Sequence, residues 1–370
     1  MLRYEWWFAG IRPISDKKKK LLRETYGSGK EIYKKLYNIE EKHFYKIKGL
    51  TEKDIQIIRQ AARNQDVNRQ FEDAMDKGIR FIPYFMEEYP KRLRDYTGMP
   101  YALYFKGELP EEDRPAAAVV GARKCTPYGE KMAIAFAEAL ASAGVQIISG
   151  MANGIDGAAQ RAAIQAGGSS FGVLGSGIDV CYPKENRGLY MDLPLHGGIL
   201  SEQPVGTPPL REYFPARNRI ISGLSDVVLV IEAGERSGSL ITADMALEQG
   251  KDIYALPGPV TSSLSRGCHE LIRQGAGILV SPEALVEEMG LEYAFSSGEN
   301  IQNHRNHRKN AKKLERTEKL VYDSIGLFPK SLNTLLSETG LPAAELMRIL
   351  VSLEMKGFMK ELSKNYFVRA

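Results

Sequence analysis

Between residues 115 and 290 the chain repeats one pattern: a short apolar run, a glycine-bearing loop, then a stretch with helical spacing. Apolar runs of this length are too short for helices and fit strands covered on both faces. Parallel strands cannot be joined by tight turns and need a crossover of roughly a dozen residues or more, which a helix supplies. The pattern therefore predicts strands over 116–120, 146–148, 171–174, 198–200, 227–231, 253–255 and 278–280. Helices are expected over 128–143, 156–165, 186–191, 217–222, 240–249 and 268–274.

Strands alternating with helices make residues 115–290 an α/β domain with a Rossmann-like parallel sheet. Residues 1–75 instead carry helical periodicity, with Leu21, Leu22, Ile32, Leu36, Leu50, Ile55 and Ile58 at three- and four-residue steps. Two turns, Tyr26-Gly27-Ser28-Gly29 and Lys48-Gly49-Leu50, each precede a new helical run. This small N-terminal helical domain (SAM/helix-hairpin-helix-like) has two readings, a bundle serving as a docking surface or a phosphate-contacting hairpin. Residues 76–114, rich in Pro and Tyr, read as an extended connector packed on the core. Residues 291–316 read as a linker, because 302–316 holds six basic residues against Glu315 alone. Residues 317–370 carry three helical stretches, the turn Thr339-Gly340-Leu341-Pro342, a cap at Gly357 and two short strands, the pattern of a C-terminal winged helix.

A chain of 370 residues with 43% hydrophobic content has enough apolar material for two or three cores. Its net charge of +4 does not distinguish a nucleic-acid binder from an average protein, so any such argument must rest on local charge. Cys125, Cys181 and Cys268 are odd in number and far apart, which suits neither a disulfide framework nor a zinc site. The aromatic cluster Trp6-Trp7-Phe8 is followed by no apolar run of signal-peptide length, since Lys17 to Lys20 breaks any such run, and no segment approaches the ~20 apolar residues of a membrane span. A cytoplasmic protein without a membrane partner is expected.

In a parallel sheet the loops at the carboxyl ends of the strands hold ligands. Here they are Gly121-Ala122-Arg123, Ser149 to Asp156, Gly175-Ser176-Gly177-Ile178-Asp179, Ser201-Glu202, Glu232-Ala233-Gly234 and Pro257-Gly258. Glycine loops at helix N-termini expose backbone N–H groups that accept an anion, which nominates Gly121, Ser149, Gly150, Gly154, Gly175 and Gly177. Candidate phosphate partners are Arg123, Lys184, Arg187, Arg217 and Arg219, with Asn186 and Asn218 beside them. Arg217-Asn218-Arg219 is expected to open a helix, where cations oppose the helix dipole and a bound anion would resolve the conflict. Phe214 and Tyr182 offer faces for base stacking. The Gly27-Ser28-Gly29-Lys30 string lacks the earlier glycine and the Ser/Thr of a Walker loop, and Val180 replaces the third glycine of a dinucleotide loop. ATP hydrolysis and NAD chemistry are disfavoured, and no cofactor or metal is expected. Asp156, Asp179, Glu202, Glu232 and Asp244 have no adjacent nucleophile or His, so capping and ion pairing suit them better than catalysis.

Several motifs resemble, in this order, the DNA-processing protein A (DprA/Smf) family. They are Val119-Val120-Gly121-Ala122-Arg123, Ser149-Gly150-Met151-Ala152-Asn153-Gly154-Ile155-Asp156, Gly172 to Asp179, Tyr182-Pro183, Ser201-Glu202, Phe214-Pro215-Ala216-Arg217-Asn218-Arg219 to Leu224, Ser237-Gly238-Ser239-Leu240-Ile241-Thr242-Ala243 and Pro257-Gly258. The resemblance spans residues 78–282; Gln160 stands where the family usually has His, and Ala122 where it often has Ser. It implies a homodimeric, non-enzymatic protein that coats incoming single-stranded DNA in natural transformation and helps load RecA onto it for recombination. Gly121, Arg123, Lys184, Arg217 and Arg219, with Ser237, Gly238 and Ser239, would then form the pocket for the strand's phosphates. The competing enzyme is a nucleotide phosphoribohydrolase of the LOG-like Rossmann group, whose Pro-Gly-Gly-x-Gly-Thr loop is replaced here by Glu232 to Ser239. A transcription factor is a third reading, but the charges of the candidate recognition helix, Pro342 to Lys356, balance and suit a phosphate-facing surface poorly.

Overall fold

A computed structural model describes residues 1–37, 47, 49–64, 66–94, 96, 98–291, 316–325, 330–356, 358–363 and 366–369. The basic stretch 302–315 and the cap expected at Gly357 lie outside the described residues. Residues Met1–Lys124 and Ala133–Leu291 pack as one compact unit, and Cys125–Met132 with the described residues from Arg316 onward form a second.

In the first unit, helices α1 (Leu2–Ala9), α2 (Asp16–Tyr26), α3 (Gly29–Tyr37), α4 (Glu52–Asn64) and α5 (Val67–Asp76) precede β1 (Arg80–Pro83) and β2 (Ala102–Gly107). The α/β alternation follows: β3 (Ala116–Val120), α6 (Pro127–Ser142, of which the residues from Ala133 on belong to this unit), β4 (Gln146–Ser149), α7 (Ile155–Gln165), β5 (Ser170–Leu174), α8 (Arg187–Asp192) and β6 (Gly197–Ser201). It continues with α9 (Tyr213–Gly223), β7 (Val227–Val230), α10 (Gly238–Glu248), β8 (Asp252–Ala255), α11 (Arg266–Arg273), β9 (Gly277–Ile278) and α12 (Pro282–Glu288). The strands form a nine-stranded sheet in the order β1-β2-β6-β5-β4-β3-β7-β8-β9. Strands β3 to β9 run parallel, as the apolar runs require.

The connector expected over 76–114 instead contributes strands to this sheet. β2 pairs antiparallel with β6, placing Tyr104 opposite Ser201, and β1 pairs antiparallel with β2. Alternate side chains enter opposite cores: Phe81, Tyr104 and Ile199 face one, while Ile82, Leu103, Phe105 and Leu200 face the other. The first face receives the N-terminal helices, with the Trp6 ring 4.7 Å from Tyr104 and 5.2 Å from Phe81. The lysine run fastens the same layer: Lys18 pairs with Asp54 at 2.6 Å, Lys19 donates to Ala9 O and Lys20 to Met99 O. The turn before α3 is also consumed internally, since the Gly29 amide donates to Glu5 Oε1 and a Cβ at Gly29 would lie 2.8 Å from Tyr4 O. The Gly29 amide is therefore not free to meet a phosphate.

The second unit contains α13 (Arg316–Ser324), β10 (Lys330–Ser331), α14 (Leu332–Thr339), α15 (Ala343–Met355), β11 (Met359–Ser363) and β12 (Tyr366–Arg369). Ser331 caps α14, and Gly340, at φ 64°, ends it. The strands pair antiparallel in the order β10-β12-β11 around Val321, Leu335, Leu346, Leu350, Leu353 and Phe367, the expected winged helix. Among the described residues no helix is long and apolar enough to cross a membrane.

Candidate functional site

The sheet reverses its winding at β3. Strands β4, β5 and β6 follow on one side and β7, β8 and β9 on the other. Loops leaving β3 and β7 therefore diverge, and a crevice opens where such folds hold ligands. A cavity of about 670 Å³ lies there, walled by Gly121 and Arg123 after β3, by Ser237 and Ser239 at the start of α10, and by Arg211 and Phe214 before and within α9. Tyr182 reaches the rim, 40% exposed, its ring 5.4 Å from that of Phe214.

Arg123 is exposed and places its guanidinium 5.6 Å from the centre of the Phe214 ring, close enough for a cation–π contact. Arg211 is exposed as well. Ser237 caps α10 and shares a hydrogen bond of 2.7 Å with Ser239, while Asn218 ties Gly238 O to Arg217 Nε. The cavity thus combines two exposed cations, an aromatic face and a helix N-terminus, all complementary to a phosphate chain carrying flat bases.

A buried charge pair, Arg217 and Asp156, lines the floor of this cavity. Arg217 is 5% exposed and donates to Gly150 O at 3.0 Å and to Val173 O. Asp156, 6% exposed, accepts the Gly150 amide at 3.2 Å and is also held by the amides of Ala152 and Gly121. The two charges face each other across Gly150, where a Cβ would meet Arg217 Nη2 at 2.6 Å and Asp156 Oδ2 at 2.7 Å. Burial pushes the Asp156 carboxyl up, against the opposing pull of Arg217 and the three amides. Burial also lowers the Arg217 guanidinium to about 10, with Asp156 resisting and Arg123 adding repulsion.

A family model, DNA recombination-mediator protein A, matches residues 80–290, and the DprA winged helix domain matches residues 306–363. The chain belongs to the DNA recombination-mediator protein A family. Protein Smf of Escherichia coli (strain K12) is 41% identical over 288 residues, covering 77% of this chain and 76% of that one. The DNA processing protein DprA of Streptococcus pneumoniae is 42% identical over 223 residues, covering 59% of this chain and 79% of that one. A crystal structure of the S. pneumoniae protein superposes with a TM-score of 0.58 at 32% identity, covering 76% of this chain and 99% of that one. A structure of the Helicobacter pylori protein, described for its single-stranded-DNA binding mode, has a TM-score of 0.53 at 30% identity, covering 57% of this chain and 95% of that one.

Several of the motif residues make internal contacts, although Arg217 also lines the cavity. Arg217 does not open its helix: α9 begins at Tyr213, a turn earlier than expected, so the dipole conflict does not arise. Arg219 lies outside the cavity wall and grips Glu202 with two hydrogen bonds of 2.9 and 2.5 Å, a third going to Gly98 O. The anion expected at the N-terminus of α7 is the protein's own Asp156. Ser149 is buried and donates to Val119 O at 2.6 Å, and the Gly177 amide donates to Thr207 O. Gly154, at φ 77°, lets α7 approach Ala122 O, and Gly175 leaves room for the Phe214 ring. Asn186 is buried and holds Met151 O and Ala152 O, while Lys184 and Arg187 are exposed outside the cavity wall. Gln160 accepts the Met151 amide at 3.1 Å. Sequence reading missed Arg211, whose signal was its place in the Pro208-Pro209-Leu210 loop just before the aromatic turn.

Proposed function

We propose that this protein binds single-stranded DNA at the switch-point cavity and does no chemistry on it. The observation that carries this reading is the exposed pair Arg123 and Arg211 beside the Phe214 face, at the edge where parallel sheets hold ligands. The single-stranded-DNA binding named for the H. pylori relative supports it. The carboxylates nearest the site are engaged in structure or buried: Asp156 receives backbone amides, Glu202 holds Arg219, and Glu232 is 4% exposed and outside the cavity wall. That arrangement favours a binding protein over a LOG-like phosphoribohydrolase. The broader role follows the family resemblance: a cytoplasmic homodimer that protects the strand in natural transformation and passes it to RecA.

Fluorescence anisotropy of a labelled oligothymidylate across a salt series tests the binding. Each lost phosphate contact lowers the slope of log affinity against log salt by about 0.7 for single strands. Arg123→Ala and Arg211→Ala should each produce that drop, nearly equally for every sequence, because phosphates carry no base information. Arg219→Ala should leave the slope unchanged. An unaltered slope in a folded Arg123→Ala, Arg211→Ala double variant would refute the site.

A further inference from the structure

A second cavity, of about 400 Å³, lies on the other side of the loop that follows β6. Its floor is made by Trp6 and Trp7 of α1 with Tyr104 of β2, and its rim carries Arg12, Lys77 and Gln70, all exposed. Residues 204–207 of the β6–α9 loop close one side. A few residues on, Pro209 and Arg211 of the same loop line the switch-point cavity. Arg12 also donates to Tyr213 Oη at 2.9 Å, and Tyr213 immediately precedes Phe214. The two cavities therefore share one wall, with cations at both mouths.

We infer that this second cavity is a further nucleotide subsite, which takes a base of the same single strand after it passes over the 204–212 loop. The inference rests on the proposed binding at the switch point. A volume of 400 Å³ falls within the range of small-molecule sites, ~300–1,000 Å³. Its aromatic floor suits a flat ring, Gln70 presents an amide that can pair with a base edge, and Arg12 and Lys77 suit the flanking phosphates. Asp73, also on the rim, faces Arg69 at 3.9 Å, which offsets its charge. Two polar atoms of the floor residues, Trp7 Nε1 and Tyr104 Oη, are buried with no hydrogen-bond partner among the described residues. Buried donors left without a partner are costly.

Trp6 and Trp7 are the two tryptophans of the chain, so intrinsic fluorescence reports on this cavity directly. The test compares oligothymidylates of about six and about fifteen nucleotides, lengths that bracket occupancy of one subsite and of both. Saturation with the longer strand should change tryptophan emission, whereas the shorter one should bind through Arg123 and leave emission nearly unaltered. In Lys77→Glu and in the Arg12→Ala, Lys77→Ala double variant, affinity for the longer strand should fall at least several-fold and affinity for the shorter one should hold. Lys77→Glu sits on an exposed position at the end of α5, so it reads the effect without disturbing Tyr213. If the longer strand binds with unchanged emission and both variants bind it like the parent, this subsite does not exist and the switch-point site stands. If the shorter strand does not bind the parent at all, the switch-point reading fails instead.

Discussion

Replacing Arg217 by Met should destabilise the sheet-bearing unit severely, at a position that also lines the switch-point cavity. Met retains most of the side chain's bulk, so the loss is electrostatic. The guanidinium's hydrogen bonds to Gly150 O and Val173 O disappear, and Asp156, 6% exposed, is left facing no cation. Removing one partner of a buried charged pair costs about 3–5 kcal/mol, most of it from the charge left behind. Asp156→Asn in the same chain should restore part of this, because the amide oxygen still accepts backbone N–H groups and no charge remains. The pair should therefore be non-additive by about 1–3 kcal/mol. Urea unfolding followed by tryptophan emission measures both values, since Trp6 and Trp7 report on this unit alone. The pH dependence gives a second reading. A carboxyl with a raised folded pKa contributes stability that is present below its unfolded pKa and lost as pH rises through the folded one. The deficit of Arg217→Met should accordingly shrink on acidification from neutral pH toward the carboxylate range. A single variant within ~1 kcal/mol of the parent, or a strictly additive double, would refute the buried-pair argument.

Two further outcomes follow from the packing. Asp54, 6% exposed, is desolvated, but hydrogen bonds from Lys18 and Thr51 outweigh that and hold its carboxyl below the usual range. Its contribution is thus present above the unfolded pKa and lost as pH falls through the folded one; Asp54→Asn should lower stability by ~1–3 kcal/mol at neutral pH, with the gap closing in acid melts. Gly175→Ala would put a Cβ 2.8 Å from Phe214 Cδ1, displacing the ring at the cavity wall. Single-strand affinity should drop several-fold while the salt slope stays within error of the parent, because no cation is removed; a lowered slope in the anisotropy series would contradict this.

Much of the core was legible from local pattern alone. Ala116 to Val120 could only be a strand covered on both faces, and all five residues are buried between β4 and β7. The turn at Gly340 and the helical stretches on either side of it likewise marked the winged helix from within. The strands β1 and β2 were not legible, because Pro83 and the clustered tyrosines resemble a connector until β2 finds β6, nearly a hundred residues away. The arginines make the same point at the site. Arg217 and Arg219 differ by two residues, about 200° around a helix of 3.6 residues per turn, so they point in nearly opposite directions. Which way each faces depends on where α9 starts and how it lies on the sheet. Tertiary packing sent one to Asp156 and the other to Glu202, and left Arg123 and Arg211 exposed. Local sequence set the residue types and the loops that carry them; the fate of each charge was decided by distant partners that only the folded sheet brings within reach.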